Sequence, residues 1–324
     1  MKDAVLPENA ARSEPMELRD AAVASYIAMV KEGANIMYLV SDSVSTSRIK
    51  PFRDLFPERL INVGIAEQNL MGIAAGLANS GIIPITGNAA PFLISRSNEQ
   101  LKVDISYSNS NVKVTGLHPG FSYGTDGITH HEAHDICAVR GMPTFEIYVP
   151  CDPRECTQML EYAVKTRGPF YISLNTGKFP VITPESYRFS PGQPVRFSEG
   201  KDLTVIALGT AVHDALEAAA ALKKRYAPDI FALTSVRPLA ADALTDSIRK
   251  TGRVLTVEQH STHGGCGSLA AELIADNGLH ARLVRRGIPE GQYTKNASAA
   301  CNKEIFGLDA RGITLAIEAL VKLK

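Results

Sequence analysis

The sequence predicts an α/β protein made of two consecutive three-layer α/β/α domains. The first observation behind this prediction is that short β-branched runs alternate with helical runs along the whole chain. Such alternation is typical of a mostly parallel sheet that helices cover on both faces. The second observation is the length of 324 residues, which exceeds what a single hydrophobic core usually supports.

Residues 16–180 are predicted to form the first domain. Its strands are expected at Ile36–Val40, Ile82–Thr86, Val112–Gly116, Phe145–Val149 and Phe170–Leu174. Its helices are expected at Leu18–Lys31, Ala66–Asn79, Phe92–Tyr107 and Pro153–Thr166. In the last of these helices Met159, Leu160 and Ala163 fall on one face, as an amphipathic helix requires.

Residues 203–324 are predicted to form the second domain, and 181–202 a linker. The linker holds Pro184, Pro191 and Pro194 among polar residues and has no apolar period. The strands expected after it are Leu203–Leu208, Ile230–Leu233, Val254–Val257 and Arg282–Val284, and the helices are Val212–Arg225, Ala240–Lys250, Ser268–Asp276 and Ile313–Lys322. The polar residues 1–15 are predicted to be a flexible arm.

The composition excludes several classes of function. Lys plus Arg and Asp plus Glu both number 34, so the charge gives no support to a nucleic-acid binder. No apolar run reaches the roughly 18 residues that a membrane span needs, and the N-terminus has no signal-peptide core. The cysteines form no CxxC pair, which excludes a zinc or disulfide framework and predicts a reducing cytoplasm. They are Cys137, Cys151, Cys156, Cys266 and Cys301.

The first motif that can carry chemistry is Ile61–Ser80, in which a strand end runs through Gly64 into an apolar helix. Glu67 lies in the first turn of that helix. An acid at this position often does no more than complement the helix dipole, and spacing alone favours that interpretation. The alternative is a ligand-binding carboxyl, because α/β sheets place ligands beyond the C-terminal ends of their strands.

The second motif is the His- and Gly-rich segment Val112–Asp135, which follows a predicted strand and ends in a predicted helix starting near Glu132. Its glycines allow the backbone to approach a ligand closely. A metal site is the weaker interpretation of its histidines, since no Cys or carboxylate completes a familiar set of ligands. Two of them, His131 and His134, are predicted to be solvated residues at the start of the helix.

The third motif is Gly87–Lys102, in which Pro91 suits the start of a helix and Phe92 follows it. Taken alone, Phe92 predicts only core packing.

Taken together, GIAEQN, APF and H-x7-DGxTH occur in an order and spacing that resembles the C-terminal half of transketolases. The resemblance is closer still to the second subunit of split bacterial transketolases. It runs from about Leu18 to the C-terminus and is strongest from Asn62 to Pro150. It implies a thiamine diphosphate-binding pyrimidine domain followed by the transketolase C-terminal domain. The implied activity is transfer of a two-carbon ketol unit between a ketose, phosphorylated or otherwise anionic, and an aldose.

Three other functions remain open at this stage. Deoxyxylulose-phosphate synthases share the GIAEQ and DGxTH stretches, and the β subunits of 2-oxoacid dehydrogenases share the architecture. A non-catalytic partner subunit is the third. The joint presence of Glu67, His118, Asp126 and His130 argues against a non-catalytic subunit, and the two histidines favour binding of sugar hydroxyls over decarboxylation of a 2-oxoacid.

The resemblance implies a role for each matching residue. Glu67 would bond N1′ of the aminopyrimidine ring and exchange a proton with it, which requires that burial favour the protonated carboxyl over the helix dipole. Phe92 would stack on the same ring. His118, Asp126 and His130 would contact the C1 and C2 oxygens of the sugar, and a neutral imidazole there can donate to an oxyanion or relay a proton.

The sequence also departs from the family pattern. Ala89 replaces a second pocket phenylalanine, and Ser95 stands near a pocket position that is aromatic in some relatives. Thr176 stands where transketolases commonly carry a phosphate-binding Arg, so the substrate is not necessarily a standard sugar phosphate. Lys178 and Arg48 are the candidates for a replacement anion contact.

A larger feature is missing, because the chain has no GDG motif of the kind that holds the diphosphate and its metal in this family. We therefore expect a second polypeptide, a diphosphate-binding N-terminal transketolase subunit, to hold Mg²⁺ (or Ca²⁺), and we expect no metal ligand in this chain. An α2β2 assembly with active sites between chains is the expected arrangement.

Overall fold

The computed structural model describes residues 14–322. The predicted flexible arm, residues 1–15, lies outside this range except for Glu14 and Pro15, which are exposed. The predicted class is confirmed: the fold is mixed α/β, with two largely parallel sheets and helices packed against them. No helix within residues 14–322 is long and apolar enough to cross a lipid bilayer.

Fourteen strands and eleven α-helices are numbered here in chain order over the described residues. The strands are β1 Met16–Glu17, β2 Ile36–Val40, β3 Leu60–Asn62, β4 Ile83–Ala89, β5 Lys113–Leu117, β6 Glu146–Tyr148, β7 Phe170–Leu174, β8 Lys178–Phe179, β9 Val195–Ser198, β10 Leu203–Leu208, β11 Pro228–Leu233, β12 Ser235–Arg237, β13 Arg253–Ser261 and β14 Arg282–Ile288. The helices are α1 Leu18–Lys31, α2 Lys50–Leu55, α3 Glu67–Asn79, α4 Asn98–Gln100, α5 Asp135–Arg140, α6 Pro153–Lys165, α7 Ala211–Leu222, α8 Asp242–Thr251, α9 Cys266–Asp276, α10 Ala299–Phe306 and α11 Ala310–Lys322.

The first sheet has the strand order β12-β6-β7-β5-β4-β2-β3 and is parallel except at its β12 edge. One face packs against α1 and α6 through a cluster that includes Tyr26, Tyr38 and Phe52. The other face packs against α3 through Leu70 and Met71. Since both faces are covered, the central strands carry almost continuous apolar runs.

The second sheet has the order β14-β13-β10-β11-β9 and is parallel except for β9. The two domains are joined by more than the covalent linker, since β12 follows a strand of the second domain and pairs with β6 of the first sheet. One apolar cluster also contains residues of both domains, among them Leu70 and Phe231. The domain boundaries stay a prediction. Within the expected linker 181–202, β9 forms the edge of the second sheet.

Two local predictions were wrong. The helix expected over Phe92–Tyr107 is divided into π-helical turns at Phe92–Arg96 and Leu101–Tyr107 with α4 between them. The helix expected near Glu132 begins at Asp135, because the Glu132 backbone instead pairs with Gly120 through two hydrogen bonds of 2.6 and 2.7 Å.

The glycine at position 120 packs against the second domain. Its φ is +64°, and a Cβ there would lie 2.7 Å from the backbone oxygen of Gln259. A Cβ at Gly127 would likewise collide with the side chain of Asn296. These two glycines of the His- and Gly-rich loop therefore permit close packing between the domains, whereas the sequence suggested approach to a ligand.

Candidate active site

The candidate site residues follow strands whose carboxyl ends meet at one edge of the first sheet. Glu67 comes after β3, Phe92 after β4, His118 directly after β5 and Thr176 after β7. These strands run parallel to their neighbours. Ligands of open α/β sheets bind at this edge, so the topology gathers chemistry from distant parts of the chain.

Glu67 is the first residue of α3 and is 2% exposed. Its Oε2 accepts a 2.8 Å hydrogen bond from Nη1 of Arg96. Its Oε1 has only a long 3.5 Å contact with Nδ2 of Asn88. A buried carboxyl with one weakly used oxygen is free to accept a further donor.

Phe92 is partly exposed, so its role is not limited to packing in the core. It lines a cavity of about 740 Å³ together with Ser95 and Arg96, and residues of the second domain such as Thr294 close the cavity on the far side. Its ring meets the ring of His130 edge to face, with centroids 5.3 Å apart.

Ala89 and Ser95, the two residues that depart from the family pattern at the pyrimidine pocket, have different surroundings. Ala89 is buried at the end of β4, where its backbone N–H bonds to the side chain of Asn88. Ser95 is exposed, donates to Oε2 of Glu132 at 3.2 Å and lies 3.3 Å from Nε2 of His134. Position 95 is therefore a polar part of the cavity wall.

His118 has a left-handed backbone, with φ of 56°, and uses both ring nitrogens. Its Nε2 lies 2.7 Å from Nη1 of Arg19, and its Nδ1 lies 2.7 Å from Oγ1 of Thr176. Because a guanidinium only donates, Nε2 must accept, and the ring proton is then on Nδ1 and is donated to Thr176. Burial and the adjacent Arg19 charge lower the pKa of His118 to about 4, so the imidazole is neutral at pH 7.

Arg19 was not among the residues that the sequence motifs indicated. It is a buried residue near the start of α1, where it bonds to Oε2 of Glu17 at 2.8 Å and to the backbone oxygen of Thr46 at 2.9 Å. No signal in the sequence indicated Arg19, because it stands beside Asp20 in the first turn of α1, where charged residues are usually solvated. Arg48, the candidate that the sequence suggested, is held by Asp20 at 2.8 Å.

Lys178 lies in β8, which pairs with β1, and is exposed. Asp126 is exposed in the turn Gly124–Asp126. The structure thus brings Glu67, Phe92 and His118 to one edge of the sheet, while Lys178 and Asp126 face solvent near it.

Tyr123 was also missed, although it lies inside the DGxTH-containing loop. Its ring stacks on His118, with centroids 4.3 Å apart, and meets the ring of His130 edge to face at 5.2 Å. Together with the contact of Phe92, these rings form a continuous aromatic row from Phe92 to His118. The row links both candidate catalytic histidines to Phe92, His130 by direct contact and His118 through Tyr123 and His130.

The prediction for His131 was wrong. It is buried between the domains, where Nδ1 bonds to the hydroxyl of Thr294 and Nε2 bonds to the backbone oxygen of Gly124 at 2.9 Å. Burial lowers its pKa. The prediction for His134 was correct, since its side chain is largely exposed at the N-terminus of α5. There the hydrogen bond to Glu132 raises its pKa.

These residues fit one end of thiamine diphosphate. A buried carboxyl and a partly exposed aromatic ring are the groups that an aminopyrimidine needs, one for its ring nitrogen and one for its face. The other end of the cofactor is a charged diphosphate with a metal ion. Within residues 14–322 no group of three His, Cys, Asp or Glu side chains is arranged to hold a metal.

Two family models match this chain, and one of them is described as a pyrimidine-binding domain. Residues 14–181 match the family described as "Transketolase, pyrimidine binding domain". Residues 192–313 match the family described as "Transketolase, C-terminal domain". The sheet edge that holds Glu67, Phe92 and His118 lies in the first of these regions. The cavity residues of the second domain, such as Thr294, lie in the second.

Relatives of known name are similar over nearly the whole chain. An apulose-4-phosphate transketolase subunit of Actinobacillus succinogenes is 42% identical over 93% of this chain and 97% of the relative. The protein of the same name from Phocaeicola vulgatus is 33% identical over 88% of this chain and 91% of the relative. A solved structure, described as a split gene transketolase in an inactive β4 tetramer, has a TM-score of 0.86 and 32% identity, covering 95% of this chain and 99% of that one.

Proposed function

The chain belongs to the transketolase family, and we propose that it is the pyrimidine-binding subunit of a split, thiamine diphosphate-dependent transketolase. This enzyme transfers a two-carbon ketol unit from a ketose to an aldose. The observation that carries the proposal is the buried carboxyl of Glu67, which is linked to the ring of Phe92 through Arg96, at the same sheet edge as His118 and His130. An acid that only complements a helix dipole would not need an aromatic ring and two histidines at its sheet edge.

In this proposal, Glu67 and Phe92 bind the cofactor, whereas His118 and His130 bind the sugar. Thiamine diphosphate, when bound, supplies a nucleophilic thiazolium carbon to the reaction. Glu67 holds and exchanges a proton at N1′ of the pyrimidine, for which a buried carboxyl is suited. Phe92 supports the face of that ring. Neutral His118, together with His130, contacts the sugar oxygens, where an imidazole accepts a hydroxyl proton or donates to developing negative charge. Both ring nitrogens of His118 are bonded in the structure, so a sugar hydroxyl replaces Arg19 or Thr176 at one of them.

We infer that another polypeptide holds the diphosphate and its Mg²⁺ (or Ca²⁺). The missing GDG motif supports this. The two similar proteins are themselves named as transketolase subunits, and the solved β4 tetramer is described as inactive, which fits a protein that needs a partner. An α2β2 assembly satisfies both the pairing of subunits and the placement of active sites between chains.

The substrate carries an anionic end, which Arg19 binds with help from Thr176. Arg19 is a buried guanidinium at the sheet edge, next to His118, and its planar fork matches a phosphate. Its nitrogens already bond to Glu17, Thr46 and His118, so a bound anion replaces one of these partners. Among the ion pairs described within residues 14–322, Glu17 is the only carboxylate partner of Arg19. The names of the two relatives, which refer to apulose 4-phosphate, agree with a sugar phosphate as substrate.

Reconstitution tests the proposal. The chain is co-purified with a diphosphate-binding transketolase subunit and assayed with matched phosphorylated and unphosphorylated ketoses and a set of aldoses. We expect transfer only when both subunits are present, and a preference for anionic ketoses that Arg19→Gln removes and the exposed control Arg53→Gln retains. An assembled, cofactor-loaded complex that decarboxylates pyruvate but transfers no ketol unit would overturn the proposal in favour of a synthase.

A further inference from the structure

Arg96 makes two contacts that the proposed function would reserve for the cofactor. Its Nη1 donates a 2.8 Å hydrogen bond to Oε2 of Glu67. Its guanidinium carbon lies 4.6 Å from the centroid of the Phe92 ring. One side chain therefore engages both the carboxyl and the aromatic ring to which an aminopyrimidine would bind.

The match is chemical as well as positional. A guanidinium is planar, donates hydrogen bonds to carboxylates and stacks on aromatic faces. An aminopyrimidine with a proton shared at N1′ has the same three properties. Arg96 also lines the cavity of about 740 Å³ that Phe92 lines, and from there its guanidinium reaches the buried carboxyl of Glu67.

The exposures of the two partners show which of them can move. The side chain of Glu67 is 3% exposed, whereas that of Arg96 is 47% exposed. Glu67 is fixed at the start of α3, while the long Arg96 side chain can rotate into solvent at modest cost. A buried carboxylate without a partner is unfavourable, so Arg96 stabilises Glu67 as long as nothing else does.

We propose that Arg96 occupies the place of the aminopyrimidine in the cofactor-free subunit and must leave Glu67 and Phe92 before thiamine diphosphate binds. This inference rests on the proposed function, because it takes Glu67 and Phe92 as the pyrimidine contacts. Cofactor affinity is then reduced by the fraction of molecules in which Arg96 closes the pocket. The guanidinium occupies Oε2 of Glu67, so its departure frees that oxygen to bond to N1′.

The test is the affinity of the reconstituted two-subunit complex for thiamine diphosphate with Mg²⁺, measured by calorimetric titration. Removing the competitor with Arg96→Ala should tighten binding roughly 2- to 5-fold, the range expected for an ion pair open to solvent. Arg53→Ala is the matched control, since Arg53 is similarly exposed at 42% and pairs with Asp54. It should leave the affinity unchanged.

A double-variant comparison tests whether Arg96 acts through the carboxyl. In a Glu67→Gln background, Arg96→Ala should tighten binding less than it does in the wild type. Arg96→Lys keeps a positive charge for Glu67 and guards against loss of folding, and it should bind with an affinity between those of the wild type and Arg96→Ala. Unchanged or weaker binding in the soluble position-96 variants would overturn the inference.

Phe92→Leu separates failure of this inference from failure of the proposed function. If Phe92→Leu weakens cofactor binding and the Arg96 variants do not tighten it, the pocket assignment stands and Arg96 is not a competitor. If Phe92→Leu and Glu67→Gln both bind cofactor like the wild type, the pocket assignment itself is wrong.

Discussion

Nη1 of Arg19 lies 2.7 Å from Nε2 of His118, although the two residues are 99 positions apart in the chain. The contact determines the protonation state of the histidine, since a permanently charged donor requires an unprotonated acceptor. It also determines the tautomer, and thereby directs the remaining proton of the ring to Thr176. A single buried cation thus prepares a neutral imidazole at the candidate site.

Stability should depend on pH through His118. Burial and Arg19 lower its pKa to about 4 in the folded chain, whereas an unfolded histidine titrates near about 6.5. The unfolded state therefore binds a proton first, so the contribution of His118 to the free energy of unfolding is complete above pH ~6.5 and is lost as the pH falls toward 4. Between pH 7.5 and pH 4.5 the wild type should lose roughly 2 kcal/mol more than His118→Gln in denaturant titrations. Equal losses in the two proteins would show that His118 is not held neutral.

The hydroxyl of Thr176 should be needed to orient His118. Thr176→Val keeps the shape but removes the acceptor for the Nδ1 proton, and a lost hydrogen bond of this kind costs about 1 kcal/mol. We expect kcat of the reconstituted enzyme to fall roughly 5- to 10-fold, and Thr176→Ser, which restores the hydroxyl, to recover most of it. If the Val and Ser variants have the same kcat, Thr176 does not orient the histidine.

Replacing the carboxyl of Glu67 should abolish most turnover without preventing assembly. Glu67→Gln keeps the size and the hydrogen-bonding capacity of the side chain, but an amide does not exchange a proton with N1′. The expected loss in kcat is at least ~10²-fold, the scale of general acid–base groups. Glu99→Gln, at an exposed acid in α4, serves as the control. Turnover close to the wild-type value in the assembled Glu67→Gln enzyme would return Glu67 to the role of a helix-dipole acid.

The helices and strands that carry long apolar patterns were predictable from the sequence. α1, β2, β7 and β10 have the bounds that the sequence predicted, and α3 begins one residue later. These segments bury a continuous face or both faces, so the pattern of apolar residues carries their boundaries.

Short elements were not predictable in the same way. β1 and β8, of two residues each, pair across the whole length of the first domain, and β12 joins a sheet that belongs to the other domain. Segments this short contain too few residues for a period, and their partners are distant in sequence. Their existence depends on tertiary pairing.

The residues of the candidate site stay a prediction, and the sequence indicated them only through its motifs. Glu67, Phe92, His118 and His130 lie in recognisable stretches that follow strands ending at one edge of the first sheet, and Phe92 and His130 are in ring contact. Arg19, Tyr123 and Arg96 act through contacts with those residues, and no local pattern reveals such contacts.

The residue His131 illustrates the opposite error. Beside a helix start, a polar residue is usually solvated, but here Thr294 of the second domain covers it. The sequence around position 131 contains no trace of that partner, which lies 163 positions away.

The central claim, that this chain is one half of a thiamine diphosphate site, is tested most directly by calorimetric titration of thiamine diphosphate and Mg²⁺ into the purified chain alone and into its complex with a diphosphate-binding subunit. The diphosphate and its metal supply most of the charge-based anchoring, and this chain has no motif for them. We predict no saturable binding by the chain alone and stoichiometric, Mg²⁺-dependent binding by the complex. Tight, Mg²⁺-dependent binding by the chain without any partner would contradict the claim.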